Sequence, residues 1–157
     1  NAQVHVQTYS QFMDEAHLRQ VLPDYDIVID ATDQLENKFL INDVCVSVEK
    51  PFVHGGITGF SGQVMTYVPE KGPCYRCIFG EVPEDNAPAP IPVIGVTAGI
   101  IGTIQAAEAI RYLLGIPSLL TGKLLVLDGL RMQFRTVPFP HVSEHCPLHT
   151  RKGVTDL

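Results

Sequence analysis

Two short motifs constrain this chain more than any other feature: CYRC at residues 74–77 and CPLH at residues 146–149. Each sets two soft ligands three positions apart, so one tight turn can present both to a single ion. About 70 residues separate the motifs, and a fold that uses both must bring its C-terminal tail back to its middle. Cys74, Cys77, Cys146 and His149 then make a Cys3His set suited to tetrahedral Zn2+. With all four positions filled by protein, such a site is closed and structural. Pro147 pre-sets one backbone angle of the second knuckle. Two alternatives stay open. CYRC alone could be a redox dithiol, although such pairs open a helix after a strand and enclose small residues or proline rather than Tyr75 and Arg76. His141 and His145 also compete with His149 for the fourth position.

Composition narrows the setting. The chain has 157 residues, 45% hydrophobic and 18% charged, enough for one domain over residues 1–157 with a sizeable core. A net charge of −6 and the lack of any lysine or arginine run argue against nucleic acid as a partner. The opening NAQVHVQTYS has neither the basic start nor the apolar core of a signal peptide. Two disulfides are therefore disfavoured for the four cysteines, and a cytoplasmic protein is expected. The apolar run at 91–107 is too short and too glycine-rich for a membrane span, and it leads straight into Glu108 and Arg111. It predicts a buried helix, with Gly95 and Gly99 allowing close backbone packing.

The pattern along the chain is that of an α/β protein. VHVQTY (4–9) alternates as a short strand, Ser10 caps a helix through Leu22, and Pro23 closes it. Ile27–Ile29 is a continuous apolar run, the mark of a strand buried on both faces. Residues 34–48 turn helical, and PFVHGGI begins another strand at Pro51. That order predicts the second half of a doubly wound, Rossmann-like sheet. An antiparallel strand follows within 59–69, with CYRC in the loop after it. Residues 80–93 are proline-rich and suggest an extended crossover or lid. A long helix at about 94–114 stops at Gly115, and KLLVLDGL with MQFRTVPF form a last strand pair. A knuckle-stapled C-terminus completes the expectation.

The strand IVID delivers Asp30 and Asp33 just past its carboxyl end, where open α/β sheets bind ligands. A carboxylate there can hold Mg2+ beside nucleotide phosphates. By residue type alone, the favoured role of Asp33 is instead a cap on the helix that begins at Gln34.

DYDIVIDATDQLENKFLINDVC, PFVHGGITGFSGQVMTY, CYRCIF, IQAAEAIRYLLG and the final knuckle occur in an order that covers nearly the whole chain. In that order and content the sequence resembles the ThiF/MoeB/HesA family of E1-like activating enzymes. The resemblance implies ATP-dependent adenylation of the C-terminal glycine of a ubiquitin-like sulfur-carrier protein, in thiamine- or molybdopterin-type sulfur transfer, by a homodimer. It implies Asp33 as the catalytic Mg2+- and phosphate-proximal acid, Gln34 and Lys38 beside the nucleotide, and Cys74, Cys77, Cys146 and His149 as the zinc set. The pattern departs from the family in four respects. No glycine-rich G-x-G-G-x-G loop is present, so the chain is expected to be the carboxyl-terminal half of the adenylating domain and inactive by itself. Residues 80–93 hold none of the reactive cysteine that many relatives place there. Lys38 stands for an arginine, keeping charge but losing the planar fork. Histidine replaces the last zinc cysteine.

The competing expectation is a non-catalytic, zinc-stabilised module that binds a carrier or partner subunit. Half of an NAD-dependent enzyme is disfavoured, because no GxGxxG and no catalytic His–carboxylate pair can be assigned. Cys45, between Val44 and Val46 in an apolar helical pattern, is expected to be a small buried hydrophobe and not a nucleophile.

Overall fold

β1 (Val28–Asp30) and β2 (Phe52–Thr58) pair in parallel, joined by helix α2 (Leu35–Ser47). From there the chain of the computed structural model, which describes residues 1–82 and 92–149, turns antiparallel. A two-residue loop, with Gly59 at φ 53°, reverses β2 into β3 (Ser61–Tyr67). β4 (Lys123–Asp128) and β5 (Gln133–Pro138) complete a five-stranded mixed sheet in sequential order. The α/β class is as expected, but the doubly wound part reduces to one parallel pair among the described residues.

The inner strands β2 to β4 bury side chains on both faces of the sheet by their two-residue period. On one face Phe52, Met65, Tyr67 and Leu124 pack with Phe39, Val44 and Cys45 of α2. On the other, Val53, Val64 and Leu127 pack with Ile101 and Ala109 of α4 (Gly95–Leu113). α4 lies so close that a Cβ on Gly55 would collide with Gln105, and one on Gly62 with Ile101. Those glycines of the sheet permit the approach. The helix pair Gly95 and Gly99 does not, since nothing lies within 4 Å of where their Cβ atoms would be.

Several expectations need correction. Residues 4–9 form no strand; Val4, Val6 and Tyr9 are exposed and no neighbouring strand supplies a ladder. The first helix, α1, begins at Glu15, because the Asp14 carboxylate accepts from His17 N at 2.9 Å and out-competes Ser10 as a cap. Ile29 is 46% exposed, so β1 is not buried on both faces. α4 is half buried: Thr97, Ile101, Gln105, Glu108 and Ala109 face the sheet, while Val96, Ile110 and Leu113 face outward. CYRC does not lie in a loop, for Cys74 is the N-cap of a one-turn helix, α3 (Tyr75–Phe79). Most of the crossover at 80–93, and the tail beyond His149, lie outside the described residues. No helix among the described residues is long and apolar enough to cross a membrane.

Candidate functional site

The two knuckles meet. Cys74 Sγ lies 3.7 Å from Cys77 Sγ and 3.7 Å from Cys146 Sγ, and the four ligand atoms of Cys74, Cys77, Cys146 and His149 all lie within 4.8 Å of one another. Both knuckles close by the same turn: Cys77 N donates to Cys74 O and His149 N to Cys146 O, each at 3.1 Å. Thiolates about 2.3 Å from a tetrahedral Zn2+ stand about 3.8 Å apart, close to the spacing found. His149 Nε2 is buried without a hydrogen-bond partner, a cost that coordination to an ion removes. The hydrogen bond between Cys74 and Cys77 pushes the first thiol up and pulls the second down, so the pair already favours one thiolate. The donor set fits a closed metal site. The helix at Cys74 removes one objection to a redox dithiol, but a third sulfur and an orphaned imidazole at the same point suit a metal better.

α2 holds the first knuckle in place. Asn42, fully buried, accepts from Tyr75 N at 2.8 Å and so caps α3 from a neighbouring helix. Arg76 grips Asp43 with two bonds of 2.6 and 2.7 Å, and its guanidinium lies 4.7 Å from the Phe39 ring centre. Tyr75 packs on His54, ring centres 4.6 Å apart, which links the cysteine cluster to the centre of the sheet.

At the carboxyl end of β1, Asp30 is 2% exposed and saturated with donors. Its Oδ1 accepts from Thr32 N at 3.0 Å and Thr32 Oγ1 at 2.6 Å; its Oδ2 receives Lys38 Nζ at 3.2 Å and His54 Nδ1 at 3.0 Å. Burial opposes its charge, yet the His54 bond, the Lys38 ammonium and Thr32 hold its carboxyl down at about 2. Burial pushes Lys38 and His54 down as well, with Asp30 opposing in both cases. A neutral His54 donates from Nδ1, leaving Nε2 to accept from the Gln63 amide at 3.4 Å. From α4, Gln105 Nε2 donates to Asp30 O at 2.7 Å and Val53 O at 3.2 Å, tying the backbones of β1 and β2.

Asp33 and Gln34 stand exposed just beyond this cluster. Gln34 is the N-cap of α2 but caps with no side-chain hydrogen bond, and no described residue hydrogen-bonds the Asp33 carboxylate. A capping role for Asp33 is therefore not realised. Lys38 is turned inward, to Asp30 and to Gly55 O at 2.7 Å. The structure thus gathers the four cysteine and histidine positions at one point, leaves Asp33 and Gln34 open to ligands, and commits Lys38 to Asp30. His54, Thr32, Gln105 and Asn42 escaped the sequence reading. The available signals were one histidine inside an apolar strand and polar Gln105 and Glu108 on an apolar helix.

A model of the ThiF family matches residues 1–148. The SAMP-activating enzyme E1 of Haloferax volcanii is 39% identical over 163 residues, which cover 100% of this chain and 58% of that protein. The adenylyltransferase and sulfurtransferase MOCS3 of Culex quinquefasciatus is 37% identical over 140 residues, covering 87% of this chain and 32% of that one. This chain thus spans less than two thirds of the length of the first relative and about a third of the second. Among solved structures, E. coli MccB has a TM-score of 0.73 at 18% identity, over 87% of this chain and 44% of MccB, a likeness of fold. The α/β sheet is therefore one found in MccB. The chain belongs to the ThiF family.

Proposed function

We propose that this chain is the carboxyl-terminal part of an adenylating domain that activates a ubiquitin-like sulfur-carrier protein. The carrier's C-terminal glycine carboxylate attacks the α-phosphorus of ATP, the bond to the β-phosphate oxygen breaks, and pyrophosphate leaves. The product is an acyl adenylate open to sulfur transfer of the thiamine or molybdopterin type. The observation that supports this reading is Asp33: exposed, without a hydrogen bond from any described residue, and placed past the carboxyl end of a parallel strand. Family membership and the activities named for its relatives agree with it.

Asp33 would hold Mg2+, with Gln34 against the nucleotide and Lys38 acting through Asp30. When bound, Mg2+ neutralises the charge of the phosphate oxygens. Cys74, Cys77, Cys146 and His149 would hold Zn2+ as a structural staple. Residues 1–157 alone would be inactive, because no glycine-rich phosphate loop occurs in them. A homodimer is proposed too, since Ile110, Leu113 and Leu114 expose apolar surface.

The test is carrier-dependent exchange of labelled pyrophosphate into ATP by the full-length protein, together with a binding measurement. Exchange supports the reading. Carrier binding without exchange would establish the binding module instead.

A further inference from the structure

We infer that Asp30 is a positioning residue that aims Asp33, through a turn closed on Thr32. This inference rests on the adenylation reading. A carboxylate offers about four acceptor sites, and four donors already occupy those of Asp30: the Thr32 amide, the Thr32 hydroxyl, Lys38 and His54. No lone pair is left for a cation. The fifth bond, from Gln105 to its carbonyl, fixes its backbone as well. Asp30 is thus anchored by β2, α2 and α4 at once, and it passes that rigidity to Thr32 by two bonds.

Asp33 follows Thr32 directly, three positions after the Asp30 anchor. Its side chain is exposed and has no hydrogen bond of its own to a described residue. The point and direction at which its Cβ leaves the chain are therefore set by the backbone, and that backbone continues directly from the Asp30–Thr32 turn. A buried ion pair alone is a weak source of stability. The ordering of the turn gives the cluster a use that charge pairing does not.

Two variants separate positioning from plain stabilisation. Thr32→Val removes the hydroxyl bond but keeps the size of the side chain and the Asp30–Lys38 pair. Asp30→Asn keeps an acceptor for Thr32 but leaves the buried Lys38 ammonium without its counter-charge. In the full-length protein, with ATP, labelled pyrophosphate and a ubiquitin-like protein ending in glycine, Thr32→Val should lower the exchange kcat about 10- to 100-fold. The KM for ATP should hardly move, the Tm should fall by only a few degrees for the one hydrogen bond lost to a buried carboxylate, and Thr32→Ser should recover most of the rate. Asp30→Asn should lose more Tm than Thr32→Val but less kcat, so the two rankings reverse. Loss of kcat in step with Tm across the variants, or a Thr32→Val enzyme with full kcat, overturns the inference while leaving adenylation intact. A wild-type protein without exchange overturns both.

Discussion

Cys74 Sγ and Cys146 Sγ lie 3.7 Å apart, although 72 positions separate them in the chain. That contact returns the tail to the α2 face of the sheet, where Cys146 packs in the same core as Phe39, Tyr67 and Tyr75. The second knuckle has no strand or helix of its own to keep it there. An ion shared by both knuckles would supply the missing restraint.

Purified protein should therefore carry about one Zn2+ per chain. Cys77→Ser should lose it and destabilise the fold by about 4 kcal/mol, the scale of losses that follow removal of a structural metal. Metal analysis and urea unfolding check this together. A metal-free protein of unchanged stability would rule the site out.

Asp33→Ala separates chemistry from folding. The carboxylate is exposed and caps nothing, so the Tm should stay within a few degrees. Exchange should fall by about 100-fold or more, as when one group that stabilises developing charge is removed. A drop in Tm with exchange intact would make Asp33 a structural residue.

Acid should weaken the protein in two stages. His54 has its pKa lowered by burial, so its contribution is complete above about 6.5 and is lost as the pH falls below that value. Asp30 has its carboxyl lowered from 3.8 to about 2, so its contribution is complete above 3.8 and is lost as the pH falls toward 2. The second stage is about 2 kcal/mol by linkage. Calorimetry on metal-loaded wild type and His54→Asn should show the slope between pH 6.5 and 5 flattened in the variant. Equal slopes would show that His54 does not titrate on unfolding.

How much of this was legible depended on where the partners lie in sequence. The knuckles announced themselves because ligand spacing within each is local, and DATDQ was visible because it follows an apolar strand. Thr32, three residues before α2, hid in plain view, since an aspartate turn needs only ordinary residues. His54, Gln105 and Asn42 could not be read, for each takes its role from an element 24 to 75 positions from its partner or from a cap across helices. The strand expected at 4–9 had the right alternation but no neighbour to pair with, and pairing is not a local property.

Cys45 should form no covalent intermediate. It is fully buried, and burial pushes its thiol up to about 12, so almost no thiolate exists at neutral pH. Incubation of the full-length protein with carrier and MgATP, followed by non-reducing mass spectrometry, should show no thiol-labile adduct on this residue. An adduct mapped to Cys45 would mean that α2 opens during turnover.

This end of the sheet is proposed to serve adenylation of a carrier's terminal carboxylate. The direct measurement is exchange of labelled pyrophosphate into ATP by the full-length protein, with and without a ubiquitin-like protein that ends in glycine. Exchange should require the carrier and disappear when its terminal glycine is deleted. Exchange that ignores the carrier, or none with a carrier that binds, would contradict that role.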